Sequence, residues 1–201
     1  MTGAFNPLDM KNLAESIVLH LEKMDPVPLD EVPNFKGAGI YAIYYRGDFP
    51  AYRRLAKENS YALVYPIYVG KAVPKGGRRG LESLDHSRST ALCSRLRNHA
   101  VSVRAATNLD IAHFQVRWLV VEDIWIALGE SAMIRRYRPV WNAVVDGFGN
   151  HDPGKGRING RRSAWDTLHP GRGWAEKFPP REETPDQIRQ DVEQYIRDRL
   201  D

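Results

Sequence analysis

Three sets of side chains in this 201-residue chain have the types and spacing of reactive groups. Glu130 follows Ile126 by four residues and precedes Met133, Ile134 and Tyr137 by three, four and seven, so on a helix its carboxylate shares the apolar stripe. A carboxylate there must find a cation, a hydrogen-bond donor or a metal, because burying an unpaired charge costs on the order of several kcal/mol. An ion pair with a neighbouring arginine and a metal ligand are both open readings. Arg95 and His99 lie four residues apart, hence on one helical face. They either converge on a common anion or are an exposed arginine and a half-buried histidine beside Leu96. Tyr41, in Gly39-Ile40-Tyr41, and Tyr68, in Tyr68-Val69-Gly70, are phenols in short apolar runs. Their plain alternative is an aromatic packing on a sheet.

The elements that must hold these groups can be read from periodicity. Residues 39–46 (GIYAIYYR) and 61–71 (YALVYPIYVGK) have the β-branched and aromatic composition of strands, with Pro66 confining its position to an edge, a bulge or a strand start. Residues 112–121 (AHFQVRWLVV) suit a central strand. Residues 8–24 place Leu13, Ile17, Leu21 and Met24 at helical spacing; residues 87–104 align Leu92, Leu96 and Val103; residues 123–137 form a helix opened by Asp123 and stopped before Pro139. A short helix is expected around PAYRRLAKEN, and a surface helix from about Pro185 to Leu200. After Asn142 the pattern dissolves into a glycine-rich, arginine-rich stretch, where Trp165, Leu168 and Trp174 argue for docking on the domain. The fold class is therefore α+β in one domain.

Composition excludes several classes. With 42% apolar and 27% charged residues the chain is globular, and Cys93, alone, can form no internal bridge. It has no run of about 18 apolar residues, so it reads as soluble, non-membrane and cytoplasmic. The net charge of +4 hides an asymmetry. Residues 1–35 and 182–201 each balance at −4, leaving residues 36–181 with 24 basic and 12 acidic side chains, or +12. A polycation between acidic ends suggests a polyanionic partner, most often nucleic acid. The loop AVPKGGRRG, with Lys75, Arg78 and Arg79 among glycines, suits phosphates, although its spacing is not that of a nucleotide-binding P-loop.

The order Gly39-Ile40-Tyr41, Tyr68-Val69-Gly70, a helix with Arg95 and His99, a strand, a helix with Glu130 and then Asn142 resembles the GIY-YIG nuclease superfamily over roughly residues 37–142. The resemblance implies a small three-stranded antiparallel sheet flanked by helices. Residues 1–36 would be an N-terminal helical arm. Residues 143–201 would be a basic loop and helix extension of the same single domain. The tyrosines lie 27 residues apart, farther than in many members. An insertion at about 47–61 is similar to that of the superfamily's type II restriction endonucleases, as is a histidine one turn after the helix arginine.

What this implies is Mg²⁺-dependent hydrolysis of DNA phosphodiester bonds with one divalent ion per site. Glu130 would hold the metal and Arg95 would stabilise the scissile phosphate. Tyr41 would be the base, helped by His99 and by a phenol pKa lowered beside Arg95 and Lys71. Tyr68 would bond the phosphate or the nucleophile, and Asn142 would position a neighbour. Lys71, Lys75, Arg78, Arg79, Arg157, Arg161 and Arg162 are the candidate DNA contacts, since arginine forks on guanine edges are the commonest specific ones. A homodimer on a GC-rich palindrome in double-stranded DNA, with a companion DNA methyltransferase in a prokaryotic host, completes the expectation. The rival readings are a structure-specific repair or homing nuclease of the same superfamily, and a catalytically silent nucleic-acid-binding module.

Overall fold

The computed structural model describes residues 6, 8–74, 89–152 and 160–201. Helix α1 (Met10–Glu22) is capped by Asp9, whose side chain accepts from the Lys11 amide, and it buries Ala14, Val18 and Leu21. This stripe is one residue round from the expected one, and Met24 falls outside the helix. The chain continues through β1 (Val27–Pro28) into β2 (Gly39–Tyr45), a 3-10 turn at Pro50–Tyr52, α2 (Arg53–Glu58) and β3 (Tyr68–Ala72). Then come α3 (Ala91–Ala105), β4 (Phe114–Val120), α4 (Asp123–Tyr137), α5 (Val140–Ala143), α6 (Ala164–Leu168) and α7 (Pro185–Leu200).

The sheet is antiparallel throughout, in the order β1-β4-β2-β3. The expected three strands are present, and β1 adds a two-residue edge against Val116 and Gln115 of β4. All seven residues of β2 are buried, as a central strand covered on both faces requires. Period-two alternation sends Tyr41, Ile43 and Tyr45 into the larger core with α3, α6 and α7, and Ile40, Ala42 and Tyr44 into a smaller one with α1 and α4. Every group on β2 is thereby assigned a face by its parity.

The strand expected over 61–71 is shortened to five residues. Asn59, fully buried, takes the Val64 and Tyr65 amides on its Oδ1 and donates to the Tyr45 and Tyr65 carbonyls. The backbone groups a strand would have paired are thus used by one side chain, and Pro66 has no amide to offer. The last quarter of the chain is also part of the core. Trp165, Leu168, Ile188, Val192 and Ile196 are all buried in the cluster that holds Tyr41. A relay of polar groups locks it there. Trp141 Nε1 donates to Tyr52 Oη (2.8 Å), Tyr52 donates to His169 Nε2 (2.7 Å), and His169 Nδ1 donates to Asn108 Oδ1 (2.9 Å). Four distant stretches of sequence meet in it.

Candidate active site

Two glycines explain the tripeptides in which the tyrosines lie. A Cβ on Gly39 would stand 2.0 Å from the Leu119 carbonyl oxygen, so the close approach of β4 to the start of β2 admits no side chain. Gly70 pairs with Tyr41 in the β2–β3 register, and a Cβ there would stand 2.4 Å from Tyr41 Oη. The phenol of one strand therefore lies over the glycine of the other.

Tyr41 is completely buried. Its hydroxyl donates to His99 Nε2 at 2.6 Å and accepts a longer contact, 3.4 Å, from Arg95 Nε. Helix α3 supplies both partners: its apolar stripe of Leu92, Leu96, Ala100 and Val103 turns His99 into the core and leaves Arg95 at the rim one turn earlier. His99 is thus buried, not the half-buried border residue that its neighbourhood in sequence allowed. Burial, with Arg95, His151 and Arg172 nearby, holds its pKa well below the ordinary histidine value, so it is a neutral acceptor. Tyr68 crosses Tyr41 with ring centroids 6.2 Å apart and meets His99 edge-on at 5.4 Å.

The expected lowering of the Tyr41 pKa is reversed. Burial raises it, the neighbouring Tyr68 raises it further, and Arg95 opposes only in part. Lys71 cannot help, because parity puts it on the opposite face of β3 from Gly70. There its Nζ lies 2.6 Å from Glu130 Oε2. Glu130 does occupy the apolar stripe, between buried Ile126 and Met133, and it is ion-paired, though with a lysine from β3 rather than the expected arginine. Its side chain is 19% exposed, enough for a ligand to reach. Among the described residues no group of three His, Cys, Asp or Glu side chains could hold a metal. A lone, accessible carboxylate still fits a hard, hydrated ion such as Mg²⁺, which takes one or two carboxylates and completes its shell with water and phosphate. Lys71 would have to yield.

Asn142 is engaged with the backbone of β3. Its Oδ1 accepts from the Val69 amide and its Nδ2 donates to the Val69 carbonyl, both at 2.8 Å, so its amide stands in for a strand partner at the free edge of β3. The site therefore wraps around β3, with Tyr41, Tyr68, Arg95 and His99 on one face and Lys71 with Glu130 on the other. A groove of about 580 Å³ is lined by Lys71, Ser94, Arg95, Asn98 and His151.

Of the loop cations, Lys75, Arg78, Arg79 and Arg157 lie outside the described residues. Arg161 pairs with Glu182, both side chains exposed, at 2.5 Å. Arg162 donates to the carbonyls of Ala175 and Glu176. Sequence reasoning passed over three residues. Gly149 offers its carbonyl to Arg95 Nη2 at 2.9 Å, His151 Nε2 bonds Arg95 Nη1, and Phe148 stacks on His99 with centroids 4.4 Å apart. Their only signal was membership in a stretch rich in glycine and arginine.

The family model described as the Eco29kI GIY-YIG domain matches residues 33–196. The match runs well past Asn142, in agreement with a C-terminal quarter that is built into the core. No curated protein matches the chain. With the strand tripeptides, the buried tyrosine–histidine pair and the match over most of its length in hand, the chain belongs to the Eco29kI GIY-YIG domain family of restriction endonucleases.

Proposed function

We propose that this nuclease makes sequence-specific double-strand cuts in DNA by divalent-metal-dependent hydrolysis, with Mg²⁺ as the ion. The observation that carries the reading is the meeting, around one strand edge, of a phenol already bonded to a neutral imidazole, an arginine fork and a reachable carboxylate. Glu130 would hold the ion together with phosphate oxygens and water, and the ion would supply positive charge beside the scissile phosphate.

The protein's own groups do the rest. Arg95 keeps its Nη atoms on Gly149 and His151 and offers its remaining donors to the phosphate. The long Nε contact to Tyr41 gives way to the attacking water. A free phenolate is not needed, and the raised Tyr41 pKa makes it unavailable. Instead the water passes a proton to Tyr41 Oη while Tyr41 passes its own to His99 Nε2, so that the phenol stays neutral and the charge ends on the imidazole. The incoming phosphate's negative charge offsets Arg95 and makes His99 easier to protonate than in the empty groove. Tyr68 bonds the phosphate or the water, and Asn142 holds β3 in register.

Lys71, released from Glu130, and the exposed Arg161 are proposed to contact DNA, along with Lys75, Arg78, Arg79, Arg157 and Arg162. The remaining expectations, a homodimer on a GC-rich palindrome and a companion methyltransferase that shields the host, belong to the same reading. Digestion of long natural double-stranded DNA in Mg²⁺, followed by end sequencing, tests it. Discrete fragments sharing one terminal sequence are expected. Arg95→Ala and Glu130→Ala should bind and not cut. A smear would indicate nonspecific cleavage, and intact DNA tightly bound in Mg²⁺ would make the chain a silent binding module.

A further inference from the structure

The segment lying on Arg95 and His99 is itself built on a buried cation. Arg172 is 4% exposed, and all five of its N–H donors are engaged. Nε and Nη2 form a fork on Asp166 Oδ1 and Oδ2 at 2.6 and 2.7 Å. Nη1 reaches the carbonyls of Phe148 and Asn150 at 3.1 and 3.2 Å, and Nη2 also reaches that of Gly147 at 2.9 Å. The guanidinium carbon lies over two indoles, 4.4 Å from the Trp165 ring centroid and 4.7 Å from that of Trp174. Stability alone does not call for this arrangement, because apolar residues of similar volume commonly replace a buried ion pair without loss. What arginine supplies here is a planar template for three carbonyls within four residues.

Those carbonyls belong to a strap, residues 147–151, whose other groups point at the site. The Phe148 ring stacks on His99 at an interplanar angle of 16° and meets Tyr68 edge-on at 5.0 Å. Gly149 and His151 take the two Nη atoms of Arg95. We propose that Arg172 is a positioning residue for cleavage, acting on Arg95 and His99 through the strap that it templates. The inference rests on the roles given to Arg95 and His99 above. Arg172 touches neither DNA nor metal in this account; it fixes the direction of the arginine fork and keeps water off the imidazole. A lysine, with three donors on a single nitrogen and no flat face, cannot reproduce it.

The test uses the full chain and long natural double-stranded DNA. Arg172→Lys keeps a positive charge beside Asp166 but loses the template. Its single-turnover cleavage rate at saturating DNA should fall about 10- to 100-fold, as is usual for supporting residues, while DNA affinity changes little. The His99 ring, followed by NMR, should titrate closer to an ordinary histidine, since water enters where Phe148 stood. The groups facing that ring are Tyr41 on β2, Tyr68 on β3, Arg95 on its own helix, and His151 and Arg172 from beyond α5. Gly149→Ala leaves the anchor alone but puts a Cβ 2.8 Å from Tyr68 Oη and 2.9 Å from Arg95 Nη2, and it should lower the same rate. Wild-type rates in both variants, with an unmoved His99 titration in Arg172→Lys, would overturn the proposal. A drop in melting temperature alone would overturn it as well. If instead Arg95→Ala cuts like wild type, it is the role of Arg95 that fails, and the His99 titration still decides whether Arg172 shapes the strap.

Discussion

One oxygen, Tyr41 Oη, connects α3 to the centre of the sheet, since it bonds both His99 and Arg95. Tyr41→Phe keeps the ring in the core and removes that oxygen. We expect a folded protein that binds DNA and cuts at least about 100-fold more slowly, at the low end of what general acid–base groups contribute, as measured by single-turnover cleavage. Gly70→Ala perturbs the same contact from the other side. With Tyr41 fully buried, neither the ring nor the paired strand can yield to a methyl placed 2.4 Å from Oη. The variant should lose about 1–3 kcal/mol in urea unfolding, the usual range for overpacking, together with activity. At this scale the sequence offered candidate side chains and was silent about most of their partners. Arg95 and His99 are neighbours by helical spacing alone. That Tyr41 lies against them depends on the packing of α3 on one face of β2, which no local pattern encodes. Arg172 was invisible for a related reason: its partners Gly147, Phe148 and Asn150 contribute backbone carbonyls, which any residue has.

Among the elements, β3 is the one on which the site turns. It is an edge strand of five residues whose free side is occupied by the Asn142 amide. Asn142→Ala leaves the Val69 amide and carbonyl without these partners. A loss of about 1–3 kcal/mol is expected for such a pair, with faster hydrogen exchange confined to β3. Cleavage should fall with it, since Tyr68 and Lys71 both ride on that strand. The helices and central strands were readable because their apolar periodicity reflects their buried faces. The second strand was overextended because Tyr61, Leu63 and Val64 have strand-like composition, while the side chain that diverts their backbone, Asn59, precedes them in a polar interlude. The stretch between Asn142 and the last helix looked like a loop region because its anchors, Trp165 and Leu168, occupy a helix of only five residues, too short to show a period.

For the molecule as a whole, acid should be more damaging than the modest net charge suggests. His169 is fully buried between Tyr52 and Asn108, and burial lowers its pKa to about 3. The unfolded chain takes up a proton here near the ordinary histidine value of about 6.5, and the folded chain does not. Unfolding therefore binds protons, and stability falls as the pH drops below about 6.5, by about 1.4 kcal/mol per unit from this group until about pH 3. His99 is shifted in the same direction and adds to the slope. Urea midpoints measured between pH 7.5 and 5 should decline steeply, and His169→Gln should flatten the decline while lowering stability at neutral pH. The same relay has a consequence in time. The residues proposed to react end at Glu130, and the strap they lean on ends at His151, yet His169 and Arg172, which lock that part of the fold, are translated afterwards. At about 5–20 residues per second a chain that has emerged only as far as the strap carries every side chain proposed to react and lacks the groups proposed to align them. If those proposed roles hold, a nascent copy, or one broken off before residue 169, should be a poor nuclease, and the cell that makes the enzyme should meet its activity only once the C-terminal quarter has closed.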